Sequence, residues 1–138
     1  MPDASPSPVS PYLTIRDAAA AIDFYRLVFG AEETGRHLTE DGRRIMHATV
    51  TINGGVVMLA DEIPGQDAWP SPQTLNGTTV SVSLLFAKAA DVDETYRRAL
   101  GNGAQSDMEP QDPFWGGRFA MLRDPFGHRW MLSAPPES

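Results

Sequence analysis

One pattern is written twice along the chain: a short β-prone stretch, a helix, then three strands. No other feature narrows the fold as much. In the first copy, Val9 to Ile15 is β-prone and carries Pro11, which suits a strand start, a bend or an edge. Asp17 to Gly30 is the strongest helix. Asp17 is a good N-cap, the alanine run has high propensity, and Gly30 suits the left-handed residue that ends a helix. Ala21, Phe24, Tyr25 and Val28 recur at helical spacing as its expected buried stripe. Glu32 to Leu38 leads into an Asp41-Gly42 turn, and Asn53-Gly54-Gly55 later turns the chain into Val56 to Ala60. Between them, Arg44 to Ile52 has a period of two. It predicts Met46, Ala48, Val50 and Ile52 on one face, with Ile45, His47, Thr49 and Thr51 on the other.

The second copy begins with a strand over Thr78 to Phe86. A helix opened by Asp91 follows, running through Tyr96 and Leu100 into Gly101-Asn102-Gly103. Gln105 to Met108, Arg118 to Arg123 and His128 to Ser133 read as strands, the last two joined by Asp124-Pro-Phe-Gly127. Both helices close on Gly-Ala, at Gly30-Ala31 and Gly103-Ala104; identity between the halves is otherwise slight, so the pattern carries the repeat. The expected organisation is a tail over residues 1–8, a βαβββ module over 9–60, a linker loop over 61–77 and a second module over 78–134. Two modules plus these segments account for 138 residues as one α+β domain.

Composition excludes several classes. Eleven Lys and Arg stand against 18 Asp and Glu, a net charge of −7, which repels phosphate backbones and makes nucleic acid a poor partner. Cysteine is absent, which removes disulfides, thiolate metal sites and cysteine nucleophiles and fits a reducing compartment. No apolar run approaches the roughly 18 residues of a membrane span. The N-terminal Met-Pro-Asp-Ala-Ser-Pro-Ser-Pro has neither the basic nor the apolar region of a secretion signal, so a cytoplasmic location without membrane association is expected.

Few side chains announce chemistry. His37 and His128 sit at strand or turn ends and read as exposed or structural. His47 shares a strand face with Thr49 and Thr51, which is either the wet outside of the sheet or the lining of a polar cavity. Asp61-Glu62 reads as a solvated strand end. Neither a Gly-x-Ser-x-Gly elbow nor a phosphate loop is present. Trp69 and Trp115 lie in irregular segments, where a large aromatic either anchors its loop or stacks on a planar ligand. Arg118 either neutralises a ligand anion or pairs with an acidic neighbour.

Asp17…Ala-Ile-Asp-Phe-Tyr…Phe-Gly-Ala31, Arg44-Ile-Met-His-Ala48, Val57-Met-Leu-Ala-Asp-Glu62, Phe114-Trp-Gly-Gly-Arg118 and Leu122-Arg-Asp-Pro-Phe-Gly-His128 together resemble the vicinal oxygen chelate superfamily. This is the glyoxalase, bleomycin-resistance and extradiol-dioxygenase group, and the likeness spans about residues 9–134, with the Phe-Trp-Gly-Gly-Arg loop similar to a glyoxalase-like branch. The resemblance implies paired βαβββ modules whose mixed sheets curl around a cavity, usually in homodimers. It also turns Met131 toward the cavity and Trp130 toward the helix layer.

Enzymes of that superfamily hold a divalent metal on four strand positions. Carried over one by one, these fall on Ser10, Met58, Ser81 and Met131, two hydroxyls and two thioethers, so neither a metal nor another cofactor is expected. Metal-free members of the group sequester drugs. The resemblance therefore implies drug binding and antibiotic resistance by sequestration, in a cavity at the dimer interface. The expected ligand-binding residues are His47, Met58, Trp69, Ser81, Phe114, Trp115, Arg118 and Met131, with no residue given a catalytic role. An acidic chain suits a neutral or cationic aromatic antibiotic or natural product better than an anion. The rival expectation is a lyase, isomerase or dioxygenase acting on a small molecule, or a metal-free catalyst that uses His47.

Overall fold

The computed structural model describes residues 7–65 and 69–137. Along the chain run β1 (Tyr12–Ile15), α1 (Ala18–Phe29), β2 (Glu32–Leu38), β3 (Ile45–Ile52), β4 (Gly55–Asp61) and the short α2 (Pro72–Leu75). The same order then returns as β5 (Ser81–Leu85), α3 (Ala89–Leu100), β6 (Gln105–Gln111), β7 (Arg118–Arg123) and β8 (Arg129–Ala134). The strands make two four-stranded mixed sheets, ordered β1-β4-β3-β2 and β5-β8-β7-β6. In each, the first strand lies parallel to the last and the remaining pairs are antiparallel. The fold is α+β, and the two copies share one topology. The chain divides into two compact units, residues 1–77 and 78–138.

In the first unit, α1 follows its signals. Asp17 accepts a hydrogen bond from the Ala20 N–H at 3.1 Å, and Gly30 is left-handed at φ 69°. Ala21, Ile22, Phe24, Tyr25 and Val28 are buried, and Tyr25 stacks on Phe29 with ring centroids 5.9 Å apart. They meet the inner row of the sheet: Leu13 and Ile15, Ala48 and Val50, Val57 and Leu59. Pro11 costs the sheet a donor, yet its carbonyl accepts from the Met58 N–H at 3.0 Å at the mouth of β1. The Asn53-Gly54 pair turns β3 into β4 with both residues at positive φ, 50° and 83°.

The alternation expected along β3 breaks at its start. Ile45 is buried and Met46 is 53% exposed, the reverse of the expected faces. The cause is a bulge: His37 pairs with His47 while the next residue, Leu38, pairs with Ile45, leaving Met46 as an extra residue on β3. Segment 61–77, expected as an irregular linker, belongs to the first unit and holds α2, capped by Ser71 and ended by left-handed Asn76.

The second unit starts later and its helix earlier than expected. β5 opens at Ser81 instead of Thr78, and α3 begins at Ala89 after Lys88. Asp91 therefore lies in the first turn, where a negative charge favours the positive helix end, and does not cap it. Trp130, Leu132 and Leu122 face the helix side and are buried.

Asp124 ties the turn between β7 and β8 to this core. One carboxylate oxygen accepts from the Phe126 and His128 N–H groups at 2.9 and 3.0 Å, the other from the Trp130 indole N–H at 2.9 Å. Asp124, His128 and Trp130 are buried, so loss of the carboxylate strands the His128 and Trp130 donors away from water. Asp124→Ala is expected to destabilise folding by about 3 kcal/mol or more, read as a lower urea midpoint.

Candidate functional site

On the sheet face away from α1, the first unit places Tyr12 and Thr14 of β1 beside Met58 and Ala60 of β4, with Thr49 of β3 next to Met58. The Tyr12 hydroxyl lies 3.2 Å from His47 Nδ1, and Thr49 Oγ1 lies 3.4 Å from His47 Nε2. The rings of Tyr12 and His47 are 5.5 Å apart and those of His37 and His47 6.4 Å apart. His47 is thus on a polar face that also carries aromatic surface.

Beside this face opens a cavity of about 520 Å³ lined by Tyr12, Thr14, Met46, Ala60, Asp61, Ile63 and Trp69. Its wall is mostly apolar. Met46 reaches it because of the β3 bulge, and Trp69, 64% exposed, comes from the segment after β4.

Two adjacent carboxylates hold these parts in place, which corrects the reading of Asp61-Glu62 as a solvated strand end. Asp61 accepts from the Ala18 N–H at 2.7 Å and from the Ile45 N–H at 2.6 Å, pinning the start of α1 and of β3 to the end of β4. Glu62 points the other way. It accepts from the Ser71 N–H and, at 2.8 Å, from the Thr74 hydroxyl, so it anchors the segment that carries Trp69 and α2. Hydrogen bonds from Ser71, side chain and backbone, and then from Thr74, with Arg16 nearby, hold the Glu62 carboxyl at about 2 against its ordinary 4.5.

The second unit receives the remaining expected residues. Met131 pairs in register with Ser83 and Met121, and Ser81 with Arg129, on the sheet face opposite Trp130. Phe114 is 98% exposed, and Trp115 sits edge-on between Phe114 and Phe119, with centroids 4.9 and 6.1 Å away. The loop bearing them is shaped by Gly117 at φ 87°, where a Cβ would lie 2.1 Å from the Ala134 carbonyl oxygen. Arg118 is engaged in ion pairs: Nε and Nη2 reach Asp93 at 2.9 and 3.4 Å, and Nη1 reaches Asp112 at 3.0 Å. These bonds, to Asp93 first and then Asp112, hold its guanidinium more firmly protonated.

Of the expected site residues, the structure brings His47, Met58 and Trp69 to the first unit and Ser81, Phe114, Trp115, Arg118 and Met131 to the second. Tyr12, Thr14 and Met46 were missed, since β1 is only four residues long and the bulge is invisible in the alternation. Ser10, Met58, Ser81 and Met131 offer hydroxyl and thioether donors, with Ser10 Oγ buried and without a hydrogen-bond partner. Such donors do not fit Zn²⁺, Ni²⁺, Mn²⁺ or Fe²⁺. Among the described residues no three His, Asp or Glu side chains converge as a metal-binding group.

Comparison with known proteins agrees with this architecture. The model of the Glyoxalase/Bleomycin resistance protein/Dioxygenase superfamily matches residues 9–132. An uncharacterized protein of Mycobacterium bovis is 43% identical over 129 residues, covering 92% of this chain and 82% of its own. Among solved structures, protein PA1353 from Pseudomonas aeruginosa is similar with a TM-score of 0.75 at 22% identity, covering 94% of this chain and 98% of that one. TioX from Micromonospora sp. ML1 is similar with a TM-score of 0.70 at 27% identity, covering 93% and 98%.

The lowered Glu62 carboxyl fixes a pH dependence. A group whose folded pKa lies below its unfolded value contributes its stability above the unfolded value and loses it as pH falls through the folded one. The anchoring of residues 69–75 is therefore intact above about 4.5 and fades toward about 2. Amide hydrogen exchange at Ser71 is expected to accelerate in that window relative to strand amides of β3, and Glu62→Gln is expected to remove the acid dependence.

Proposed function

The chain belongs to the glyoxalase/bleomycin resistance protein/dioxygenase superfamily, and from that premise we propose that it is a metal-independent binding protein that sequesters a small aromatic molecule, as in antibiotic resistance. The observation that carries this reading is the cavity of about 520 Å³ between Tyr12, Met46, Ile63 and Trp69. Small-molecule pockets span about 300–1,000 Å³, are mainly apolar, and use a few polar groups for orientation. Here the flat faces of Tyr12 and Trp69 offer stacking surface, Met46 offers an adaptable wall, and Thr14 supplies a hydroxyl. His47 and Met58 flank Tyr12 and extend the same surface.

Among the described residues no helix is long and apolar enough to cross a membrane; the proposed place of action is the cytoplasm. The working form is proposed to be a homodimer, since Leu85 and Trp115 are apolar and exposed on the second unit. Phe114, Trp115, Met131 and Ser81 belong to the ligand-contacting surface of that form, beside the structural Arg118.

One observation favours a second reading, acid–base catalysis on a small molecule. His47 stands between the Tyr12 and Thr49 hydroxyls, a ring nitrogen within reach of each. The two readings differ in the fate of the ligand.

Titration with bleomycin and a panel of planar antibiotics is expected to quench Trp69 fluorescence, and Trp69→Phe to reduce the total quenching. Mass spectrometry of released ligand is expected to return it unchanged; a converted product supports the catalytic reading, and silence of Trp69 across the panel counts against sequestration. Light scattering at micromolar concentration is expected to give twice the chain mass.

A further inference from the structure

A second recess of the first unit, about 330 Å³, is lined by Arg16, Asp17, Arg43, Arg44 and Asp61. It meets the apolar cavity at Asp61, which lines both. The strands explain the junction. Arg16 continues the every-second-residue row of Tyr12 and Thr14, and Arg44 directly precedes Ile45 and Met46 on β3.

The carboxylates of this region keep their charge, but their oxygens are taken up by neutral donors. Asp17 accepts from the Ala20 N–H, and the two oxygens of Asp61 accept from the Ala18 and Ile45 N–H groups. Glu62, near Arg16, is taken by Ser71 and Thr74; Asp41, near Arg44, is taken by the Thr39 hydroxyl and the Arg43 N–H. The arginines are in the opposite state. Arg26, Arg36, Arg98, Arg118, Arg123 and Arg129 each form an ion pair, whereas Arg16, Arg43 and Arg44, like the exposed Arg97 of α3, form none among the described residues. Arg16 donates to Thr74 Oγ1 at 2.9 Å.

We infer that the ligand of the cavity carries an anionic oxygen group, a carboxylate, sulfonate or phosphate, which seats between Arg16, Arg43 and Arg44 while its aromatic body lies against Tyr12 and Trp69. This rests on the cavity reading and specifies its ligand class. Three guanidiniums present fork-shaped donors matched to such groups, and charge-assisted bonds at contact distance outweigh a net charge of −7 spread over the whole chain. The bulk charge alone favours a neutral or cationic ligand, whereas the recess itself is lined by three guanidiniums against the carboxylates of Asp17 and Asp61, a small local excess of positive charge.

Two dyes of equal aromatic size separate the terms: anilinonaphthalene sulfonate, which is anionic, and N-phenylnaphthylamine, which is neutral. Each is titrated into the full chain, read by dye emission and by energy transfer from Trp69. The sulfonate is expected to bind more tightly, to weaken with added salt, and to be displaced by millimolar inorganic phosphate that leaves the neutral dye in place. The triple variant Arg16→Gln, Arg43→Gln, Arg44→Gln is expected to weaken the sulfonate about tenfold and the neutral dye less than about twofold. Arg97→Gln, an exposed arginine of α3, is the control and is expected to change neither. Retained neutral-dye binding shows that the triple variant is folded. Sulfonate binding that ignores the three arginines, or binding of the neutral dye alone, overturns the anionic-group inference and leaves the cavity reading standing. Binding of neither dye overturns both.

Discussion

Asp61 is the point on which the first unit closes. A strand end, a helix start and a strand start each bring an unsatisfied backbone group to the same place, and one carboxylate answers two of them. Without it, the Ala18 and Ile45 N–H groups would face a partly buried region with no acceptor. Because the chain alternates along β4, its neighbour Glu62 emerges on a different side and binds the segment that returns over β1. Two consecutive acidic residues thus fix two different parts of the unit. The apolar cavity and the basic recess both form around them.

The second unit obtains closure by a different route. Its topology copies the first, strand for strand, yet the buried carboxylate sits in the turn before the last strand and bonds forward to Trp130. The first unit has an Asn-Gly hairpin at the equivalent place and needs no such pin. The repeat therefore preserves the path of the backbone and not the interactions that stabilise it, which is why the two halves share so few residues. It also accounts for the different chemistry of the two exposed sheet faces. One is a mixture of Tyr, His and Thr; the other carries methionines and a loop of Phe and Trp held by a Gly-Gly corner.

Much of the backbone was legible in the sequence because its signals are local. Asp17 and Gly30 bound α1, β2 spans Glu32–Leu38 as read, and Asn53-Gly54 and Asp124-Pro-Phe-Gly127 mark real turns. The superfamily likeness and the α+β class were legible too. What was hidden depends on partners distant in the chain. Met46 and Ile45 exchange faces because of pairing with β2, and Asp61 and Glu62 look like a polar strand end until Ala18, Ile45, Ser71 and Thr74 arrive beside them. The α3 start was misplaced because Lys88 lacks the side-chain cap that Asp91 seemed to offer. Arg16, Arg43 and Arg44 are spread across two segments, and they share a recess because β4 pairs with both β1 and β3 and its Asp61 holds the start of β3.

The bulge in β3 separates what the first unit needs for folding from what it shows to the cavity. Ile45 fills the core side and Met46 the cavity side, although they are neighbours in a strand whose Ala48 and Val50 return to the core side at every second residue. Deleting one residue at this point would change the side chain lining the cavity while leaving Ala48, Val50 and Ile52 against α1. An insertion or deletion at this point would therefore change the cavity wall at little cost to the core.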